Sequence, residues 1–232
     1  MVDLSAEMAE LWARVGGPGP GRARAIQFAA ATAGEGVSTV AREFAFFAAA
    51  HAGKRVWLVD LDVLGEAQVL SIADAPERYG RLGPASSASP DGSAFFTVQP
   101  PLRRPDGRAW SDARYFAAYA VGDVSLWVTQ FRRDAMKPRQ SVHILPNGAY
   151  WNALRRHADL VVVDAPPADR SQAALTVAPF MEDTVLVVAA DQRDVQAPAR
   201  LRDAIASAGG RCSGLFFNRA NFDAPRFLNN AF

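Results

Sequence analysis

Apolar side chains near the start of the chain fall at Leu4, Met8, Leu11, Trp12 and Val15, a spacing of three and four that gathers them on one helical face. The run Gly16-Gly-Pro-Gly-Pro-Gly21 cannot continue any regular element. Residues 1–22 therefore read as an amphipathic helix on a glycine-proline joint. Such a helix could pack on its own domain or on a neighbour, or lie on the surface; periodicity does not choose.

Beyond the joint the pattern changes. Ala23 to Ala30 is a buried-strand candidate, and a glycine-rich turn leads into a helix from Ser38 to His51, with Gly53 as its cap. Arg55-Val-Trp-Leu-Val-Asp60 is a continuous apolar run ending in an acid, as expected of a parallel strand covered on both faces. Strand, turn, helix and strand make a βαβ unit. The second half repeats the rhythm: strands at 160–164, 184–190 and 212–217, with helices at Arg170 to Pro179 and Gln196 to Ala208. This alternation predicts an α/β fold with a doubly wound, mostly parallel sheet.

The middle breaks the pattern. Proline, glycine and serine are dense from Asp74 to Asp112, and so long an irregular stretch is uncommon inside a compact domain. Arg114 to Val121 and Val124 to Phe131 flank Gly122-Asp123, which predicts a hairpin; a helix over Asp112 to Ala120 is the rival. The expected organisation is an arm at 1–22 and one domain at 23–232, carrying a β-rich or irregular insertion at about 74–140.

Composition narrows the class without naming it. Of 232 residues, 50% are hydrophobic and 21% charged, which is globular. A net charge of +1 gives no reason to expect a nucleic-acid partner. The single Cys212 excludes an internal disulfide framework, fits a reducing compartment, and opens a strand expected to be core. The longest apolar stretch, Phe44 to Ala50, is too short to span a bilayer, and the N-terminus lacks the basic start of a signal peptide. The expectation is a cytoplasmic protein, membrane-associated at most through a partner. Lys54 and Lys137 are the only lysines, so few are available for phosphate work.

Four motifs carry chemistry. In Ala31-Thr-Ala-Gly34-Glu35-Gly36-Val37-Ser38-Thr39, small residues let successive backbone N–H groups converge on phosphate oxygens at a helix N-terminus. Ser38 is placed to ligate Mg²⁺, with Thr39 behind it. Ala31 stands where the phosphate-loop pattern has its first glycine, and Val37 where it has lysine. Without a ligand the same residues would simply turn a strand into a helix. Leu58-Val-Asp60-Leu-Asp62 delivers two carboxylates at alternate positions, hence on one face at a strand's C-terminal end. Leu160-Val-Val-Val-Asp164-Ala-Pro-Pro167 joins strand, acid and a stiff exit. Leu215-Phe-Phe-Asn218-Arg219 ends the last strand in an amide that could read a base, or in a turn asparagine.

Together these motifs resemble the bacterial tyrosine kinases (BY-kinases) and related P-loop ATPases of capsule and exopolysaccharide loci, within the MinD/ParA class. Ala33-Gly-Glu-Gly-Val-Ser-Thr39 is similar to their Pro-Gly-Glu-Gly-Lys-Ser-Thr, the Asp60/Asp62 strand to their Walker A′, and Val163-Asp164-Ala-Pro-Pro167 to their Walker B. The resemblance implies ATP/ADP and Mg²⁺ as ligands. Gly34, Glu35, Gly36, Val37, Ser38 and Thr39 would surround the phosphates, and Asn218 would touch adenine. Ser38, Asp60 and Asp164 would be the metal side, and Asp60 and Asp62 the catalytic acids. It also implies a membrane-embedded polysaccharide co-polymerase or export protein as partner, and a homo-oligomer.

Three departures go with it. Val37 removes the lysine. Residues 226–232 lack the tyrosine cluster that such kinases phosphorylate, Tyr79, Tyr115, Tyr119 and Tyr150 being scattered. Glu7, Glu10 and Ala13 replace the Glu-Arg-Arg ring motif of the N-terminal helix. His51, His143 and His157 have no metal-ligand spacing. Arg132, Arg133, Lys137 and Arg139 read as a solvated basic loop that could replace the lost charge. Three functions compete: a regulatory P-loop protein of polysaccharide synthesis or export with weak or absent nucleotide binding, an active ATPase or autokinase with a substitute basic residue, and a ParA/MinD-like positioning ATPase.

Overall fold

In the computed structural model, which describes residues 4–15, 23–65 and 67–219, the βαβ rhythm builds one central sheet. In chain order the elements are α1 (Ser5–Val15), β1 (Arg24–Ala29), α2 (Val37–His51), β2 (Val56–Asp60), α3 (Ala67–Ala73), α4 (Pro76–Tyr79), β3 (Ser86–Ser87) and β4 (Phe96–Gln99). They continue with β5 (Phe116–Ala120), β6 (Leu126–Phe131), β7 (Ser141–Ile144), α5 (Gly148–Arg155), β8 (Leu160–Asp164), α6 (Ala173–Val177), β9 (Asp183–Ala189), α7 (Ala197–Ser207) and β10 (Cys212–Asn218).

The sheet order is β10-β9-β1-β8-β2-β6-β5-β3. From β10 through β6 every pairing is parallel, and β5 and β3 close one edge antiparallel. β2, β8 and β9 are buried along their whole length, as their unbroken apolar runs predict. β2 and β8 run side by side with Asp60 opposite Asp164, so both acids emerge together at the C-terminal edge.

The middle segment is more ordered than its composition suggests. The hairpin forms, with Phe116 opposite Phe131 and Ala120 opposite Trp127, and β6 continues the parallel sheet beside β2. The rival helix is confined to one 3-10 turn at Asp112–Tyr115, capped by the Ser111 hydroxyl. Phe-Ala-Ala-Tyr-Ala is no poor helix former, but β5 gains partners on both sides and buries Phe116 in an aromatic cluster with Phe95, Phe96 and Tyr150. A separate two-stranded sheet of β4 and β7 packs there too, through Phe96 against Phe131.

α1 settles on its own domain. Met8, Leu11 and Val15 are buried, and Trp12 packs on Phe44 and Phe47 of α2 at ring-centroid distances of 6.0 and 6.2 Å. Arg24 of β1 ties the helix to the sheet, donating to the Val15 carbonyl and to Asp183 of β9. The glycine-proline joint lies outside the described residues, as does the tail at 226–232.

Three expectations need correction. α2 ends on an extended Ala52, with no cap from Gly53. The helix expected from Arg170 begins only at Ala173, leaving Arg170 in the preceding turn. Cys212 is half-buried rather than core, because β10 is the sheet's edge strand and exposes Leu215 and Phe217. An apolar strand sequence does not reveal which strand ends the sheet.

Candidate functional site

The turn between β1 and α2 depends on two glycines in left-handed conformation, Gly34 at φ 88° and Gly36 at φ 90°. Gly36 also allows a close approach: a Cβ there would meet Asn218 Nδ2 at 2.1 Å. The Asn218 amide donates to the Glu35 carbonyl at 2.9 Å, and its Oδ1 accepts from the Arg219 N–H. Both ends of this amide are engaged within the protein. The end of β10 is thereby latched to the loop.

Glu35 is a strut. Its carboxylate is buried, accepting from the Thr32 N–H at 3.0 Å and from Gln192 Nε2 at 2.9 Å. The opposite limb of the loop is bonded to the turn after β8. Ala168 and Asp169 donate backbone N–H groups to the Ala30 and Ala31 carbonyls, and the Asp169 carboxylate accepts from the Ala33 N–H.

Between loop and turn lies a cavity of about 280 Å³. Its walls are Thr32, the loop from Gly34 to Thr39, Asp62, Asp164 to Pro167, Arg170 and Arg219. Gly34, Glu35, Gly36, Val37, Ser38 and Thr39 are thus brought to one cavity with Asp62 and Asp164. Asp60 and Asn218 are not among its walls. A larger apolar cavity of about 680 Å³ lies between β10 and α7, away from these acids.

Val37 opens α2 and is only 7% exposed, packed in the apolar cluster that α1 and α2 share with the sheet. Where the phosphate-loop pattern has a cation, this chain has core. The basic loop at 132–139 does not line the cavity; among the described residues its cations are Arg170 and Arg219. Arg170 pairs with Asp62 at 2.7 Å, and Arg219 donates to the Gly34 carbonyl at 2.9 Å.

The two predicted catalytic acids part company. β2 ends at Asp60, so the period-two rule no longer governs Asp62. Asp62 turns to the cavity. Asp60 is 3% exposed, with its oxygens accepting from the backbone N–H groups of Asp62 (2.9 Å) and Gln68 (3.2 Å). Gln68 is the centre of a buried network that the linear sequence does not announce. Its Nε2 donates to Asp164 Oδ2 at 2.6 Å and to the Ser38 carbonyl at 2.8 Å, and its Oε1 accepts from Arg42 at 3.0 Å. The one available signal was Arg42 itself, an arginine four residues after Ser38 on the apolar face of α2.

Burial, and then the charge of Asp164, hold the Asp60 carboxyl well above the usual carboxylate range. Burial likewise pushes Asp164 up to about 6, against the hydrogen bond from Gln68, the nearby Ser38 hydroxyl and the Arg42 charge. Asp164 Oδ1 has no hydrogen-bond partner although it is buried. That free oxygen beside Ser38 fits Mg²⁺ carried in with phosphate, since Mg²⁺ keeps most of its water and takes one or two protein ligands. Asp60, with both oxygens engaged, does not present a third.

No protein-family model matches this chain, and no curated protein matches it in sequence. Solved structures do. The kinase domain of VpsO aligns with a TM-score of 0.58 at 18% identity, covering 94% of this chain and 95% of its own. The kinase domain of Escherichia coli tyrosine kinase ETK aligns at 0.51 and 15%, covering 85% and 68%. Cobyrinic acid a,c-diamide synthase from Mycobacterium smegmatis, solved with an ATP analogue and magnesium, aligns at 0.50 and 16%, covering 85% and 75%. The fold is therefore that of the P-loop α/β proteins which the motifs resemble, BY-kinase domains among them.

Proposed function

We propose that this chain is a BY-kinase-like P-loop protein that regulates exopolysaccharide or capsule synthesis or export, with an ATP site that is weak or silent. It would act through conformation on a membrane-embedded co-polymerase or export partner. The carrying observation is Val37: the residue that should neutralise β- and γ-phosphates is an apolar core residue, 7% exposed. Losing one charge-assisted phosphate contact removes about 1.5–3 kcal/mol, and the transition state suffers most.

The tyrosines support the same reading. Tyr79 donates to Glu43, Tyr119 to Gln130 and Tyr115 to Gln140, while Tyr150 is fully buried. Tyr79, Tyr115 and Tyr150 are buried, so phosphorylation of any of these three would first require local opening, whereas the half-buried Tyr119 would have to release Gln130. The polysaccharide role rests on the motif resemblance. No helix among the described residues is long and apolar enough to cross a membrane. If nucleotide enters, the loop from Gly34 to Thr39 would hold its phosphates, and Ser38 with Asp164 would hold Mg²⁺. The metal would supply charge neutralisation there.

The test is titration of Mg²⁺-ATP against the wild type and Val37→Lys, with phosphotyrosine detection after incubation. Micromolar binding with turnover by the wild type would sink the regulatory reading. One observation favours the alternative of an active ATPase: Arg170 and Arg219 bring positive charge to the cavity from outside the loop.

A further inference from the structure

Arg170 is presented to the phosphate loop by a built turn. Pro166 and Pro167 stiffen its entry, and the Arg170 and Ser171 N–H groups both donate back to the Pro167 carbonyl. The same turn is bonded to the loop at Ala30, Ala31 and Ala33. Arg170 and the loop therefore keep a fixed spacing across the cavity both of them line. Its guanidinium is the planar donor fork that suits phosphate oxygens.

Asp62 currently claims that guanidinium. The bond is 2.7 Å, but the arginine side chain is 60% exposed and the carboxylate 26%. An ion pair so open to water is weakly held and readily exchanged for another anion. The carboxylate's position is itself provided for: a Cβ on Gly65 would meet Asp62 Oδ2 at 2.6 Å. The arrangement is a cation parked on an internal acid at the mouth of a phosphate loop that lacks its own cation.

We propose that Arg170 is the phosphate-neutralising residue of this site, and that Asp62 holds it in reserve until a diphosphate group competes for it. This rests on reading the cavity as a phosphate site. It adds a named cation, its competitor, and a consequence: removing the acid should strengthen anion binding. A second arginine contributes differently, since Arg219 is committed to the Gly34 carbonyl and braces the loop.

The experiment is calorimetric titration of inorganic pyrophosphate and of ADP, at low salt, into the wild type and four variants, with thermal melts to confirm folding. Arg170→Gln should weaken pyrophosphate binding about tenfold or more, the loss expected for one charge-assisted contact. Asp62→Asn should tighten it several-fold, and that gain should vanish in Asp62→Asn/Arg170→Gln. Val37→Lys/Arg170→Gln should restore binding, because a lysine from the loop would meet the same oxygens. Affinity unchanged by Arg170→Gln overturns the proposal. So does a gain from Asp62→Asn that persists without Arg170, which would be bulk electrostatics. No pyrophosphate binding by either the wild type or Asp62→Asn also overturns it, while leaving the regulatory reading standing. Tighter binding of ADP than of pyrophosphate would identify a nucleotide as the source of the diphosphate, and equal affinity the free anion; both uphold Arg170. ATP turnover lost in Arg170→Gln would end the regulatory reading and uphold Arg170. Turnover surviving in that variant would overturn both.

Discussion

Val37 and Gly36 are neighbours with opposite tolerances. Val37 borders both core and cavity, so a lysine there can lay its stem on apolar surface and send its ammonium toward the phosphates. Val37→Lys is expected to change stability by less than about 1 kcal/mol while raising Mg²⁺-ATP affinity about tenfold or more. Thermal melts and titration on the same samples check both. Gly36 has no such freedom. Its φ of 90° is strained for any side chain, and a Cβ would press on Asn218 at 2.1 Å. Gly36→Ala should cost about 1–3 kcal/mol in urea unfolding. Asn218→Ala in the same chain should recover only the contact part of that loss, leaving the backbone strain.

Among the elements, α1 and the β1–β9 pair are joined through one arginine. Asp183 is 1% exposed and accepts from Arg24 and from Arg211. Removing the acid takes the buried carboxylate partner from Arg24, the residue that also holds the end of α1. Asp183→Ala should cost about 3 kcal/mol, measured by chemical denaturation, and should speed proteolytic release of α1. Helical spacing at Leu4 to Val15 made α1 legible. Its docking was not, because Trp12 meets Phe44 only after the chain has crossed the sheet. The middle segment teaches the same point. Its prolines and glycines mark turns honestly, but the pairing of β6 beside β2 depends on a partner some seventy residues away.

At the scale of the molecule, the buried acids tie stability to pH. Asp164 titrates near 6 in the fold and near 3.8 when unfolded, so between those values the native state binds more protons. Stability contributed by this group therefore falls as pH rises from about 4 to about 6, and stays lower above. The raised Asp60 carboxyl acts in the same direction. Calorimetry from pH 5 to 8 should show the melting temperature declining toward neutrality. Asp164→Asn should flatten the slope and stabilise the protein at pH 7 by about 1–3 kcal/mol. A slope unchanged in that variant would mean the burden lies elsewhere.

The sequence by itself determined the parallel sheet, the glycine-rich turn with valine where the phosphate-loop pattern has lysine, and the two acid-tipped strands. Each is a local pattern: a run of apolar residues, a spacing of glycines, an acid at a strand's end. Only the tertiary structure decided that β10 is an edge, that Asp60 turns inward while Asp62 faces the cavity, and that Gln68 and Arg42 brace the acids. It also decided which cation stands at the loop. Arg170 was one arginine among many until the turn after β8 folded against the phosphate loop. Periodicity records which face of an element is buried. It does not record what that face meets, because the meeting is set by segments far apart in the chain.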